Sequence, residues 1–383
     1  MNEWPTVKLG EVAEQTNRRV GELDVPIYSV TKYDGFVPSS EYFKKRVFSM
    51  DIRKYKLCTA GDFAYATIHL DEGSIGISPV KCGISPMYTT FRLNSLNISP
   101  DYLLRYLKSS RALTQYLTLG SGSAERRKSI KFTDLRKMEI PFPPLGEQKR
   151  IAEILGKTTG AISSVQKQIE QAKKLRSSIV GMASKMAVEL RAISEYFDIN
   201  PRQPRNIPDN APTSFVPMAN LDETFGISPI ASRFSEHKKG YTYFENGDIL
   251  LAKITPCFEN GKSAIAKLST QIGHGSTEFH VLRHKNHMHQ DACLSPLLAA
   301  AILKQPSFLK PAENFMRGSA GQKRIPVSYI ASLKVPVLKS VDLEKIDQSL
   351  EIVEALLNLY HRKLSLLQEL QKSLATRAFA GLL

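Results

Sequence analysis

The spacing of apolar residues changes along this chain, and the changes mark out four segments. Ile151, Leu155, Ile162, Val165, Ile169, Ala172 and Ile179 recur at the a and d spacing of a heptad. A second run carries the same spacing through Leu343, Ile346, Leu350, Val353, Leu357, Tyr360, Leu364, Leu367 and Leu374. Each run predicts a helix of about 40 residues, roughly 60 Å long at about 1.5 Å per residue. Late in each run Leu175 and Leu370 are expected to take over the seam from Arg176 and Gln371. The remaining segments, 1–144 and 189–338, hold short β-type runs broken by Gly, Asp and Pro, such as "IYSV", "DFAYATI", "YTTFRL", "DILLAKI" and "TEFHVL". Each also places a short helix after Ser-Pro, near 99–109 and 295–305.

The segments are two copies of one plan. "SPDYLLRYLK" from Ser99 matches "SPLLAAAILK" from Ser295, and "GSA" at Gly122 matches "GSA" at Gly318. Ile140-Pro141 matches Val335-Pro336, and Ile151 matches Ile346, a shift of 195 residues. Upstream the shift is smaller, with Gly61-Asp62 answering Gly247-Asp248, as loop insertions would produce. A repeat of this length is a tandem duplication of a domain with its connector, not a solenoid. The fold expected is α+β (mixed α/β). Two globular domains (1–144 and 189–338) alternate with two long helices (145–188 and 339–383) in a pseudo-twofold repeat. Helices with matched apolar seams are expected to pair as an intramolecular coiled coil. The seam residues are Ile151, Leu155, Ile162, Val165, Ile169, Ile179, Ile346, Leu350, Val353, Leu357, Leu364, Leu367 and Leu374. Their spacing leaves the direction of pairing open.

Between the first domain and its helix stands "IPFPPLGEQKRI", from Ile140 to Ile151. Proline fixes φ and donates no backbone hydrogen bond, so Pro141, Pro143 and Pro144 predict a stiff, extended exit into the helix.

Composition adds a partner class. The 383 residues carry 52 Lys+Arg against 37 Asp+Glu, a net charge of +15. A surplus of that size favours a polyanion, nucleic acid before anionic lipid. Cys58, Cys82, Cys257 and Cys293 are scattered without a Cys-x-x-Cys pair. That excludes a zinc ribbon and a disulfide framework, and suits a reducing compartment. With no signal-type run and no stretch of about eighteen apolar residues, a cytoplasmic location and no membrane partner are expected.

Several chemical signals are weak. His280, His284, His287 and His289 are close in sequence, but His280 lies in a strand-like run where a four-residue spacing separates the imidazoles. Gly261-Lys262-Ser263 is half of a phosphate loop whose upstream glycine is replaced by Pro256. Pro208-Asp209 with Glu236-His237-Lys238 imitates a Mg²⁺ nuclease pattern. It supports the alternative reading, a metal-dependent nuclease with a duplicated DNA-binding fold. No metal site and no catalytic residue are expected otherwise.

Taken together, "IPFPPLGEQKRIAEIL", its weaker echo "VPVLKSVDLEKI", the "GSA" elements, "ITPCFENGKSAIA", "YFKKRVFS" and the half-repeat resemble the specificity (S, HsdS) subunit of type I restriction–modification systems. The second connector departs from the pattern, lacking the Pro-Pro pair and the Glu-Gln. The resemblance implies a non-catalytic subunit whose two target-recognition domains each read one half of a split, asymmetric site in double-stranded DNA. It implies helices that set the half-site spacing and dock two methyltransferase (M) subunits. Restriction (R) subunits would join through the core formed by those two M subunits and this one. S-adenosylmethionine, ATP and Mg²⁺ would then reside on the partners, with no cofactor in this chain.

On that reading Arg126, Arg127 and Lys128 after the first "GSA", and Arg317, Lys323 and Arg324 around the second, are the phosphate candidates. The interleaved aromatic and basic loop from Thr31 to Arg46 offers Lys32, Tyr33, Lys44, Lys45 and Arg46 for base contact. Its counterpart from Ser232 to Phe244 offers Arg233, Lys238 and Lys239.

Overall fold

A computed structural model describes residues 4–32, 34–43, 48–68, 70–119, 129–221, 227, 229–237, 239–285, 292–319 and 321–383. Helices and strands are mixed throughout, and the chain divides into two compact units. One comprises Met1–Ser163 with Ser365–Leu383, the other Ser164–Leu364. The two long helices, Leu145–Met186 and Ser340–Phe379, each contribute residues to both units.

The first unit holds two four-stranded sheets. One runs Ala13–Thr16, Tyr88–Leu93, Phe63–Ala66, Ile75–Ile77, and the other Gly35–Pro38, Ile27–Thr31, Cys82–Ile84, Lys56–Cys58. A two-stranded ribbon joins Thr6–Lys8 to Glu139–Pro141. The second unit repeats this plan strand for strand. Its sheets run Phe197–Ile199, Phe279–His284, Ile249–Ala252, Ser263–Ile265, and Ile230–Arg233, Pro212–Val216, Ile272–Gly275, Thr242–Glu245. Its ribbon joins Glu189–Ala192 to Lys334–Val337. In each unit one neighbouring pair is parallel, Ile27–Thr31 with Cys82–Ile84 and Pro212–Val216 with Ile272–Gly275.

Local chemistry explains why the copies fold alike. Gly61 and Gly247 both turn with positive φ, +87° and +96°, ahead of a buried aspartate. Asp62 accepts from the Thr59 amide and Asp248 from the Glu245 amide, closing equivalent turns. Burying a carboxylate needs a counter-charge. Arg92 supplies it 2.9 Å from Asp62, and Arg283 2.7 Å from Asp248, each from the adjoining strand. The Ser-Pro pairs begin helices Pro100–Leu107 and Pro296–Leu303, with Ser99 and Ser295 as N-caps and proline at the first turn.

The proline-rich exit is tied down by Gln148, whose side chain is fully buried. Its Oε1 accepts from the Ser99 amide, and its Nε2 donates to the Asn97 and Pro143 carbonyls. The second connector has Leu343 at that repeat position and closes differently, with Ser295 Oγ donating to Asp347 at 2.6 Å.

The long helices pack antiparallel. In the first unit Ile151 and Leu155 share a core with Ala378 and Phe379, and Gln371 Nε2 donates to Thr159 Oγ1 at 2.8 Å. In the second unit Arg176 meets Glu354. Residue numbers rise along one helix as they fall along its partner. The seam residues Ile151, Leu155, Val165, Ile169, Ile179, Ile346, Leu350, Val353 and Leu357 are buried, and Ile162, Leu364, Leu367 and Leu374 are half-buried.

The expected late shift of the seam does not occur. Leu175 and Leu370 are 49% and 47% exposed, while Arg176 is buried and Gln371 half-buried. The polar side chains keep the seam positions because each finds a hydrogen-bonding partner across it, which an apolar-only reading of the heptad could not register.

Phe379 is buried between Tyr102 and Tyr106, edge-on to both rings at 5.6 and 5.1 Å. Truncating a buried phenylalanine costs about 3–5 kcal/mol, so Phe379→Ala should destabilise the first unit by that amount. Denaturant titration followed by fluorescence of the single tryptophan checks this, since Trp4 Nε1 donates to the Ala378 carbonyl.

Candidate nucleic-acid interface

The second unit brings three of the predicted phosphate contacts onto one hairpin. Arg317 and Arg324 exchange backbone hydrogen bonds at 3.0 and 2.8 Å, and the turn between them uses Gly318 and Gly321 at φ +127° and +82°. A Cβ on Gly318 would approach the Gln322 carbonyl oxygen to 2.7 Å, so the "GSA" glycine is required by the turn itself. The hairpin is anchored where the Lys323 carbonyl accepts from the Thr255 amide. Arg317 and Lys323 are exposed. Arg324 is committed to Glu278, which it binds through two nitrogens at 2.9 and 2.8 Å. That ion pair raises the Arg324 pKa and lowers that of Glu278. Arg324 therefore holds the hairpin, while Arg317 and Lys323 offer charge to solvent.

Arg233 and Lys239 are also exposed, at the end of strand Ile230–Arg233 and just beyond the following short helix. Beside them the fold assembles an aromatic stack that sequence spacing did not reveal. Phe215 stacks on His237, with centroids 4.3 Å apart and planes 16° apart, and Tyr241 stands edge-on to both. Tyr241 is 44% exposed. His237 and Tyr241 lie in the loop already singled out, but Phe215 arrives from an earlier strand, through the pairing of Pro212–Phe215 with Ile230–Arg233. Flat rings beside cations suit contact with bases and sugar–phosphate. In the first unit Tyr28 lines a cavity of about 370 Å³ with Tyr55 and Tyr88.

Lys32 is exposed, and its carbonyl accepts from Lys108 Nζ at 3.2 Å. Tyr33, Lys44, Lys45, Arg46, Arg126, Arg127, Lys128 and Lys238 lie outside the described residues.

The weaker signals do not converge. His280 Nε2 is engaged with the Ile325 carbonyl and His284 Nε2 with that of Leu294, while His287 and His289 lie outside the described residues. Among the described residues no group of three or more His, Cys, Asp or Glu is gathered to hold a metal ion. Asp209 and Glu236 thus form no such cluster. Among the described residues no helix is long and apolar enough to cross a membrane.

Three comparisons bear on this geometry. The model of the type I restriction modification DNA specificity domain matches residues 1–174. The EcoEI specificity subunit of Escherichia coli is 41% identical over 147 residues, 38% of this chain and 24% of that protein, so the match spans about a quarter of its length. A putative specificity subunit of Methanocaldococcus jannaschii, MjaX, is 22% identical over 98% of this chain and 90% of its own. Among solved structures, the S subunit of a type I restriction–modification system from M. genitalium superposes with a TM-score of 0.61 at 15% identity, covering 98% of this chain and 96% of that one.

Behind the stack, His274 is buried against Phe234 and Tyr243, and burial first, then the nearby His237, pushes its pKa down to about 4. The ring stays neutral in the fold, whereas the unfolded chain takes up this proton near pH 6.5. Stability present above pH 6.5 is therefore lost as pH falls towards 4, on the order of 3 kcal/mol from this group. Melting midpoints measured between pH 7 and 4 should fall, and His274→Gln should flatten the slope.

Proposed function

We propose, from the match of residues 1–174 to the model of the type I restriction modification DNA specificity domain, that this chain is the DNA specificity subunit of a type I restriction–modification enzyme. Each unit reads one half of a bipartite, asymmetric site in double-stranded DNA. The observation that carries this reading is the duplication of one two-sheet unit, strand for strand, with different loop sequences in the two copies. Two unlike reading surfaces on one scaffold suit two unlike half-sites, and half-site spacing follows protein geometry in DNA binders of this kind. The antiparallel helices are the spacer.

Phosphate positioning falls to Arg317 and Lys323, and base contact to the loops carrying Lys32, Arg233 and Lys239. The same roles extend to Tyr33, Lys44, Lys45, Arg46, Arg126, Arg127, Lys128 and Lys238. The chain performs no chemistry. S-adenosylmethionine, ATP and Mg²⁺ act on two methyltransferase subunits docked along the helices, and on restriction subunits recruited through them. Ile352, Leu359 and Leu366 recur every seven residues on the exposed face of the second helix and offer apolar surface for docking. The enzyme works in the cytoplasm, where its DNA lies.

Co-expression with a type I methyltransferase subunit, followed by genome-wide mapping of N6-methyladenine, tests the assignment. Two short blocks separated by a fixed unspecified run are expected, and exchanging residues 1–144 for those of a relative should change one block only. An active, bound partner that yields no bipartite motif overturns it. Arg317→Ala in the complex should weaken binding across all DNA sequences and reduce the slope of affinity against salt by about 1.

A further inference from the structure

Two polar contacts between the long helices exchange under the repeat. Arg176 and Glu354 meet at 3.4 Å with both side chains 8% exposed. Thr159 and Gln371 meet in an exposed hydrogen bond. The shift of 195 residues that relates Ile151 to Ile346 also carries Arg176 onto Gln371 and Thr159 onto Glu354. One pair of repeat positions therefore builds both contacts, charged and buried in one unit, neutral and exposed in the other.

The buried pair is poorly made. Among the described residues Arg176 Nε and Glu354 Oε2 are buried without a hydrogen-bonding partner. Burial pushes the Glu354 carboxyl up from its usual range despite the facing Arg176 and Lys304. Isolated buried ion pairs of this sort add little stability compared with apolar side chains, and their best-attested use is to choose a partner and register.

The repeat shows what that choice excludes. If two copies of the chain paired like helices in the same antiparallel register, Arg176 would face Thr159 in the first-helix pair. Glu354 would face Gln371 in the second-helix pair. The first-helix pair leaves Arg176 without its counter-charge and the second-helix pair leaves Glu354 with Lys304 alone, whereas pairing unlike helices joins Arg176 to Glu354. The apolar seams cannot make this distinction, because the duplication supplies both helices with the same spacing. We propose that the Arg176–Glu354 pair selects first-with-second helix pairing and rejects pairing of like helices between two copies.

The full-length chain tests this, expressed as two differently tagged copies and followed by native mass spectrometry, affinity capture and thermal melting. The parent chain is expected to be monomeric. Arg176→Glu sets two carboxylates against each other and should lower the midpoint by several degrees and capture the second tagged copy. Arg176→Glu with Glu354→Arg should restore the monomer and the midpoint. Gln168→Cys reports the mode of pairing. Gln168 lies midway between Thr159 and Arg176, so two first helices would bring it against its own counterpart, and an interchain disulfide should form in the Arg176→Glu background alone. Should Arg176→Glu fail to fold, Arg176→Gln, which leaves Glu354 with Lys304 alone and adds no carboxylate, is measured in its place. A charge-altered chain that remains monomeric overturns the proposal. So does a double variant that stays dimeric, or a parent chain already cross-linked through Gln168→Cys.

Discussion

Neither long helix is stable on its apolar face alone. A helix of some forty residues with one apolar seam needs that seam covered along its length, since tertiary packing rather than propensity supplies most helical stability. Antiparallel pairing of the two helices meets the need, and each unit then takes part of both helices into its structure. In the first unit the last turns of the chain complete a core begun by its first residues, with Phe379 set between Tyr102 and Tyr106 and Trp4 bound to the Ala378 carbonyl. Sequence neighbours alone could not close that core.

The same plan governs the globular parts. Two sheets of identical strand order are held by a buried aspartate and an arginine from the adjoining strand, Asp62 with Arg92 and Asp248 with Arg283. With the scaffold secured by such internal ties, exposed loops are free to differ. Cations divide accordingly. Arg324 commits its charge to Glu278 and so holds a hairpin, and Arg317 and Lys323 on the same hairpin remain at the surface. A count of basic residues cannot make that division, because it depends on which carboxylate the fold brings alongside.

Polar residues in the helix seam show where a heptad reading stops. Arg176 and Gln371 looked like defects to be bypassed by Leu175 and Leu370, yet they keep their places and the leucines face outward. Hydrogen bonding across the seam decides this, and it involves residues about 180 to 210 positions away in the chain.

What the sequence determined by itself is the repeat, the mixed α+β class, the two long helices and the Ser-Pro helix starts, all of which rest on spacing and local backbone chemistry. Proline, glycine and heptad periodicity act over a few residues and are legible without coordinates. The tertiary structure alone decided the antiparallel sense of the helices, the burial of Arg176, and the gathering of Phe215 with His237 and Tyr241. Each of these depends on side chains far apart in the chain meeting in space, and on whether a buried polar group finds its partner there.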